Sequence, residues 1–198
     1  MSDDTTLLLR QIRQCSLCQQ NLPRAANPIL QASNHSKILI AGQAPGAVTD
    51  EKNIPFDDLS GQRLRHWLGV TREQFYHADN FAILPMGFCF PGKGKNGDLP
   101  PLTLCAETWR KQLLNSMPNI ELTLILGKYA IEWHLNTKES ITVLTKQWQQ
   151  QILQGYLVLP HPSPRNNRWL AKNTWFEQDV IPQLRLKVQS VLNADVNV

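Results

Sequence analysis

Apolar positions in this chain follow two patterns. Ile38 to Ala41, Phe81 to Leu84, Leu122 to Leu126 and Tyr156 to Leu159 are short apolar runs without regular polar alternation. Such runs predict strands buried on both faces, the habit of parallel sheets. Between them, apolar residues recur at helical spacing. Leu8, Leu9 and Ile12 stripe Thr5 to Gln14, and Leu64, Trp67 and Leu68 form the inner face of a helix capped by Ser60 and closed by Gly69. A short helix begins at Thr71, with Glu73 close behind and Phe75 turned inward. Further helices are expected over Leu102 to Met117, Tyr129 to Leu135 and Val143 to Ile152, and over Trp169 to Leu192 with an interruption near Pro182. Strands alternating with helices predict an α/β fold, a three-layer α/β/α sandwich around a central four-stranded parallel sheet. No repeat or linker divides the chain, so residues 1–198 read as a single domain with a disordered tail over about residues 193–198.

Three of the predicted strands leave into loops of special residues. Gly42-Gln43-Ala44-Pro45-Gly46 follows the first strand, Pro85 to Gly97 the second, and His161-Pro162-Ser163-Pro164-Arg165-Asn166 the fourth. The exits of a parallel sheet lie along one edge, so these distant segments are expected to build one cleft. Gln43 to Leu59 reads as one long loop, a length that is functional more often than accidental. It carries Phe56, a ring able to stack on a flat base, and Asp57 and Asp58, either of which could orient water or simply start the next helix. Prolines on both sides of His161 restrict its backbone, and a neutral imidazole there could donate to a developing oxyanion.

The net charge of +4 changes the picture mainly through its placement. Lys93 and Lys95 share one loop, and Arg165, Arg168 and Lys172 cluster late in the chain, as a polyanion-binding surface would require. With 42% hydrophobic and 18% charged residues the composition is that of a globular protein, and no stretch has the length of a membrane span. The polar, acidic start does not resemble a signal peptide, which sets the expectation of a cytoplasmic protein. The four cysteines therefore suggest a metal more than a disulfide framework. Cys15 and Cys18 form C-x2-C, and Cys89 and Cys105 form C-x15-C; four thiolates suit either tetrahedral zinc or an iron–sulfur cluster, and spacing alone does not choose.

Taken together, these motifs resemble the uracil-DNA glycosylase superfamily, especially its iron–sulfur branch. Gly42 to Gly46 looks like the first motif of that superfamily, His161 to Asn166 like its second, and Cys15, Cys18, Cys89 and Cys105 like the ligands of its 4Fe-4S cluster. The resemblance runs from about Cys15 to Leu192. It implies a monofunctional DNA glycosylase of base-excision repair, acting as a monomer on DNA that contains a damaged base. By the same resemblance, His161 stabilises the departing base, Asp58 or Gln43 handles the water, and Phe56 stacks on a flipped base contacted by Gly42, Gln43 and Ala44. Ser163, Pro164, Arg165 and Asn166 press into the duplex. The chain departs from the family at two points: Gln43 stands where the iron–sulfur branch commonly has Glu, and Pro85 where a uracil-reading Asn is expected. Pro has no side-chain donor, so hypoxanthine and xanthine stand beside uracil as substrates. The alternative reading is a non-catalytic iron–sulfur module that binds DNA or senses redox state on the same scaffold.

Overall fold

In the computed structural model, which describes residues 4–95 and 97–194, the four apolar runs form one parallel sheet. In chain order the strands are β1 (Ile38–Ala41), β2 (Phe81–Ile83), the small hairpin strands β3 (Lys93–Gly94) and β4 (Gly97–Asp98), β5 (Leu122–Leu126) and β6 (Tyr156–Leu159). Across the main sheet the order is β2-β1-β5-β6. Ile38 pairs with Phe81 on one side and Leu122 on the other, and Leu124 pairs with Leu157.

Side chains alternate between the faces of a strand, and here both faces are covered. Ile38, Ile40, Leu124, Leu126 and Leu159 pack against Leu64, Trp67, Phe176, Leu184 and Val188, most of them on helices Leu59–Leu68 and Ile181–Leu192. On the other face, Leu39, Ala82 and Leu84 meet Leu9, Ile12 and Leu113, while Ala41, Ile125 and Val158 meet Ala130, Ile131 and Leu144. The result is the expected three-layer α/β arrangement. Both outer strands are shielded by glutamines. Gln31 exchanges backbone hydrogen bonds with Ile83 at 3.1 and 2.7 Å, and the Gln151 side chain accepts from Val158 N at 2.9 Å. Contacts of this kind cover part of each sheet edge.

The chain runs from β1 outward to β2 and then returns across β1 to β5, so the strand order reverses beside β1. Open α/β sheets bind ligands outside the carboxyl ends of strands at such a reversal.

Several local expectations need correction. The segment Gln43 to Leu59 is not one loop, because Ala47–Lys52 forms a helix that ends at Asn53 in the left-handed region. The cap of helix Leu59–Leu68 is Asp58, whose Oδ1 accepts from Gly61 N at 2.9 Å; Ser60 is buried in its first turn. Thr71 does begin a helix, Arg72–Tyr76, capped reciprocally with Gln74, and its hydroxyl also donates to Glu73 Oε2 at 3.2 Å. The glycine-rich stretch after β2 contains the β3–β4 hairpin. Val143 to Ile152 divides into helices Ile141–Thr145 and Trp148–Leu153, joined where the buried Gln151 amide donates to Leu144 O at 2.7 Å. The last helical stretch breaks at residues 173–175 and not near Pro182. A wider i→i+5 turn over Phe176–Val180 precedes Pro182, and its missing N–H falls in the first turn of Ile181–Leu192, where no partner is needed. The same wide turn recurs at Ala106–Arg110, inside the helix expected over Leu102 to Met117. Of the expected tail, residues 195–198 lie outside the described residues. No helix among the described residues is long and apolar enough to cross a membrane.

Candidate active site

The carboxyl ends of β1, β2 and β6 open into one cleft of about 740 Å3. Gly42 to Gly46, Phe56, Asp58, Pro85, His161 and Ser163 to Asn166 all line it, so the structure brings together the cleft residues expected from three distant segments.

The loop after β1 continues the ladder of the sheet. Gly42 O accepts from Met86 N at 2.9 Å and Gln43 O from Gly87 N at 3.0 Å. The Gln43 side chain does not hang free, because its Nε2 donates to Leu99 O at 3.0 Å. That bond ties the loop to the hairpin β3–β4. A Cβ added to Gly46 would stand 3.3 Å from Asp98 Oδ2, and one added to Gly97 would strike the Arg165 guanidinium. The hairpin is thus braced between the Gly42–Gly46 loop and the His161–Asn166 loop, and it brings Lys93 and Asp98 into the cleft wall.

Phe56 has φ 56°, a left-handed backbone that is unusual for a bulky residue. Two neighbours hold it there. Arg65 Nη1 donates to Phe56 O at 3.1 Å, and the same carbonyl lies only 1.7 Å from where a Cβ on Gly61 would stand. Only glycine at position 61 lets this carbonyl and the first turn of Leu59–Leu68 coexist. The Phe56 ring meets Phe75 edge-on and lies nearly parallel to the His161 ring, with centroids 6.3 Å apart in each case.

The two adjacent aspartates take different roles. Asp57 is engaged by Arg72 and by Lys52 at 3.2 Å; the Arg72 hydrogen bond, then that of Lys52, holds its carboxyl below the usual carboxylate range. Asp58 caps the helix with Oδ1 and also lines the cleft. The capping reading and the cleft reading of Asp58 therefore both hold in its geometry.

His161 is oriented through its own loop. Its Nδ1 accepts from Ser163 N at 3.2 Å, and its carbonyl accepts from Asn166 Nδ2 at 2.7 Å. A neutral imidazole whose Nδ1 accepts must carry its proton on Nε2. Burial keeps the pKa of His161 below its ordinary value; the carboxylates of Asp58 and then Asp98 act in the opposite direction, and Arg165 lowers it slightly further. Arg63 clamps the loop from helix Leu59–Leu68, donating from Nη1 to Pro162 O and Ser163 O at 3.3 Å and from Nη2 to Asn167 Oδ1 at 2.8 Å. Pro164 and Arg165 are exposed at the tip of the loop, while Ser163 and Asn166 are half-buried and occupied with shaping it.

Arg63, Arg65, Gly61 and Asp98 were not singled out from the sequence. Their roles depend on contacts between segments, and the only local signal was Gly61 inside a helical pattern, where glycine is unfavourable without a packing reason.

A second, largely apolar cavity lies at the far side of the β2 exit and is lined by Cys15, Cys18, Cys89 and Cys105 together. All four are free thiols and half-buried. Trp109 Nε1 donates to Cys15 Sγ at 3.4 Å, and Phe88 N donates to Cys105 Sγ at 3.4 Å. Burial pushes the Cys89 thiol up to about 11 and the Cys105 thiol to about 12, with the neighbouring sulfurs adding to the effect in both. Among the described residues, no three His, Cys, Asp or Glu side chains are gathered closely enough to hold a single metal ion. The donor set itself fits an iron–sulfur group, which is held by four thiolates and tuned by hydrogen bonds to sulfur.

Arg110, on the helical segment that follows Cys105, is fully buried. Its Nη1 donates to Leu84 O at 3.0 Å and Pro85 O at 3.2 Å, and its Nη2 lies 2.7 Å from His134 Nε2. Burial, reinforced by Arg110, lowers the pKa of His134 to about 3, so its ring is neutral and Nε2 accepts.

Comparison with known proteins adds two findings. The family model described as Uracil DNA glycosylase superfamily matches residues 30–185. The chain is also similar to a type-4 uracil-DNA glycosylase of Saccharolobus solfataricus, 23% identical over 169 residues that span 81% of this chain and 74% of the relative.

Two outcomes follow from this geometry. Gly61→Ala is expected to destabilise the protein by about 3 kcal/mol, the upper end for overpacking, because the added carbon meets backbone and not a flexible side chain; urea denaturation measures it. His134 takes up a proton near pH 6.5 when unfolded but only near pH 3 when folded. Its contribution to stability is complete above pH 6.5 and falls by about 1.4 kcal/mol per pH unit below it. Urea midpoints of wild type and His134→Gln at pH 7 and pH 5 should therefore converge on acidification.

Proposed function

Because the chain belongs to the uracil DNA glycosylase superfamily, we propose that its cleft hydrolyses the N-glycosidic bond of uracil or a related deaminated base in DNA. The observation that carries the reading is the shared cleft of a neutral His161, the Asp58 and Asp98 carboxylates and the Phe56 ring. The reacting bond of a stacked base is out of reach, so the nucleotide must turn out of the duplex. Phe56 then offers its face to the base. As the bond between C1′ and the base nitrogen breaks, its electron pair leaves with the base. His161 Nε2–H is the donor suited to the oxygen on which that charge collects, and a neutral donor stabilises the anion without protonating it first. Water adds to C1′ on the opposite face of the sugar, and its proton passes to a carboxylate or to solvent. Asp58 takes this position in our reading. Gln43 cannot ionise and acts by holding the Gly42–Gly46 loop against Leu99.

Pro85 lines the cleft at the exit of β2 and offers no side-chain hydrogen bond to a base. This is the feature that widens the substrate class to hypoxanthine and xanthine. Arg165 and Pro164 at the exposed loop tip, with Lys93 on the hairpin, are placed to meet the DNA backbone around the vacated position.

Cys15, Cys18, Cys89 and Cys105 would hold a 4Fe-4S cluster. It would supply cross-linking, tying the segment after helix Asp4–Arg13 to the loop after β2, and no step of the hydrolysis passes through it. Zinc on the same thiolates is the alternative.

The test is incubation of the protein with oligonucleotides containing uracil, hypoxanthine or xanthine, scored for abasic sites. At least one should be converted without strand cleavage, and His161→Ala should slow the reaction at least about 100-fold, the loss typical of one oxyanion donor. Salt-dependent DNA binding with no base released from any of the three would instead favour a non-catalytic DNA-binding module. Asp58→Asn is expected to lose rate while keeping DNA affinity; full activity would remove Asp58 from the mechanism and direct the same test to Asp98→Asn. Metal content is a separate measurement. Iron and sulfide with absorbance at about 400 nm support the cluster, whereas a colourless zinc protein supports the alternative. With a cluster bound, Cys15→Ser should lower the thermal midpoint.

A further inference from the structure

Arg110 is 0% exposed, and among the described residues no carboxylate pairs with it. Two backbone carbonyls, a neutral imidazole and the face of Trp133, 5.0 Å from the guanidinium to the ring centroid, surround it, and its Nε has no hydrogen-bond partner. None of these neighbours carries a negative charge. A buried cation left in that state is expensive, so its opposite charge has to be supplied from elsewhere.

The side chain whose negative form acts on Arg110 is Cys105, five residues earlier. Both hold the same segment after β2: Cys105 Sγ accepts from Phe88 N at 3.4 Å, and Arg110 donates to Leu84 O and Pro85 O. Cys105 shares its cavity with the other three cysteines. Four thiolates around an iron–sulfur core leave that centre with a net negative charge, spread over a volume larger than one sulfur.

We propose that Arg110 is the buried countercharge of a metal–sulfur centre held by the four cysteines, and that its hydrogen bonds to Leu84 O and Pro85 O connect that centre to the floor of the cleft. The proposal rests on reading the cysteines as cluster ligands. Arg110 is a positioning residue in this account. It touches neither cluster atoms nor substrate; it lowers the electrostatic cost of the first and fixes the backbone beneath the second.

The test uses purified, cluster-loaded protein and does not depend on activity. Arg110→Met is expected to lose its absorbance at about 400 nm in chelator at least about tenfold faster than wild type, in the range of outer-shell effects on metal retention. The reduction potential of the cluster, measured by spectroelectrochemical titration, should fall, because removing a nearby positive charge disfavours the added electron. Arg110→Lys keeps the charge and should restore the potential, which a purely structural role for the guanidinium would not explain. If Arg110→Met does not accumulate as folded protein, His134→Glu carries the test, since it leaves the arginine in place but neutralises it; the potential must again fall. Equal potentials and equal chelator rates in an iron-loaded wild type and the variant that folds overturn this proposal alone. A wild type free of iron and sulfide overturns the cysteine reading and this proposal with it.

Discussion

The backbone pairing of β1 with its neighbours does not stop where the sheet stops. Gly42 O and Gln43 O go on accepting from Met86 N and Gly87 N, so the loop after β1 and the loop after β2 leave the sheet as a bonded pair. Everything chemical in the molecule is arranged on that extension. On one side lies the cleft with His161 and Phe56; on the other lies the cavity of the cysteines, reached through Phe88 and Cys89 a residue or two further along the same loop. The hairpin β3–β4 then returns from this loop to meet Gln43 and Gly46, closing a circuit of backbone around the cleft. A rigid frame of this kind suits a site that must hold donors fixed while charge develops.

The sheet was readable in the sequence because burial on both faces leaves uninterrupted apolar runs. β1, β5 and β6 match those runs in full, and β2 falls one residue short at Leu84, whose N–H still bonds to Ile40 O. The cleft was readable because glycine, proline and histidine concentrate at the strand exits. What escaped were features decided by partners distant in sequence. Asp58 and Ser60 are both good caps in sequence, and in the fold it is Asp58 that accepts from Gly61 N while Ser60 is buried. Pro182 looked like a breaker because proline usually is; the wide turn before it absorbs the defect. Asp98 lines the cleft from a hairpin and Arg63 holds the histidine loop from a helix face, and no local pattern announces either approach.

The polar groups buried away from the cleft fall into two kinds. Buried Gln151 is bonded on both sides, donating to Leu144 O and accepting from Val158 N, and half-buried Gln31 donates to Phe75 O and Phe81 O. Arg110 is different, because its hydrogen bonds are nearly complete but its charge is not compensated by its contacts. The distinction between satisfied bonding and balanced charge is what separates a structural interior group from one that points to a missing neighbour.

The seating of Phe56 has a consequence for how this scaffold can change. Its backbone is held by main-chain atoms, through the carbonyl wedged over Gly61 and gripped by Arg65, while its ring packs against Phe75 and His161. Position 56 is therefore a fixed mount whose side chain faces the cleft. A smaller side chain carried on the same backbone would open the cleft beside His161 and change the range of flat groups it accommodates, without moving the carbonyl that seats it.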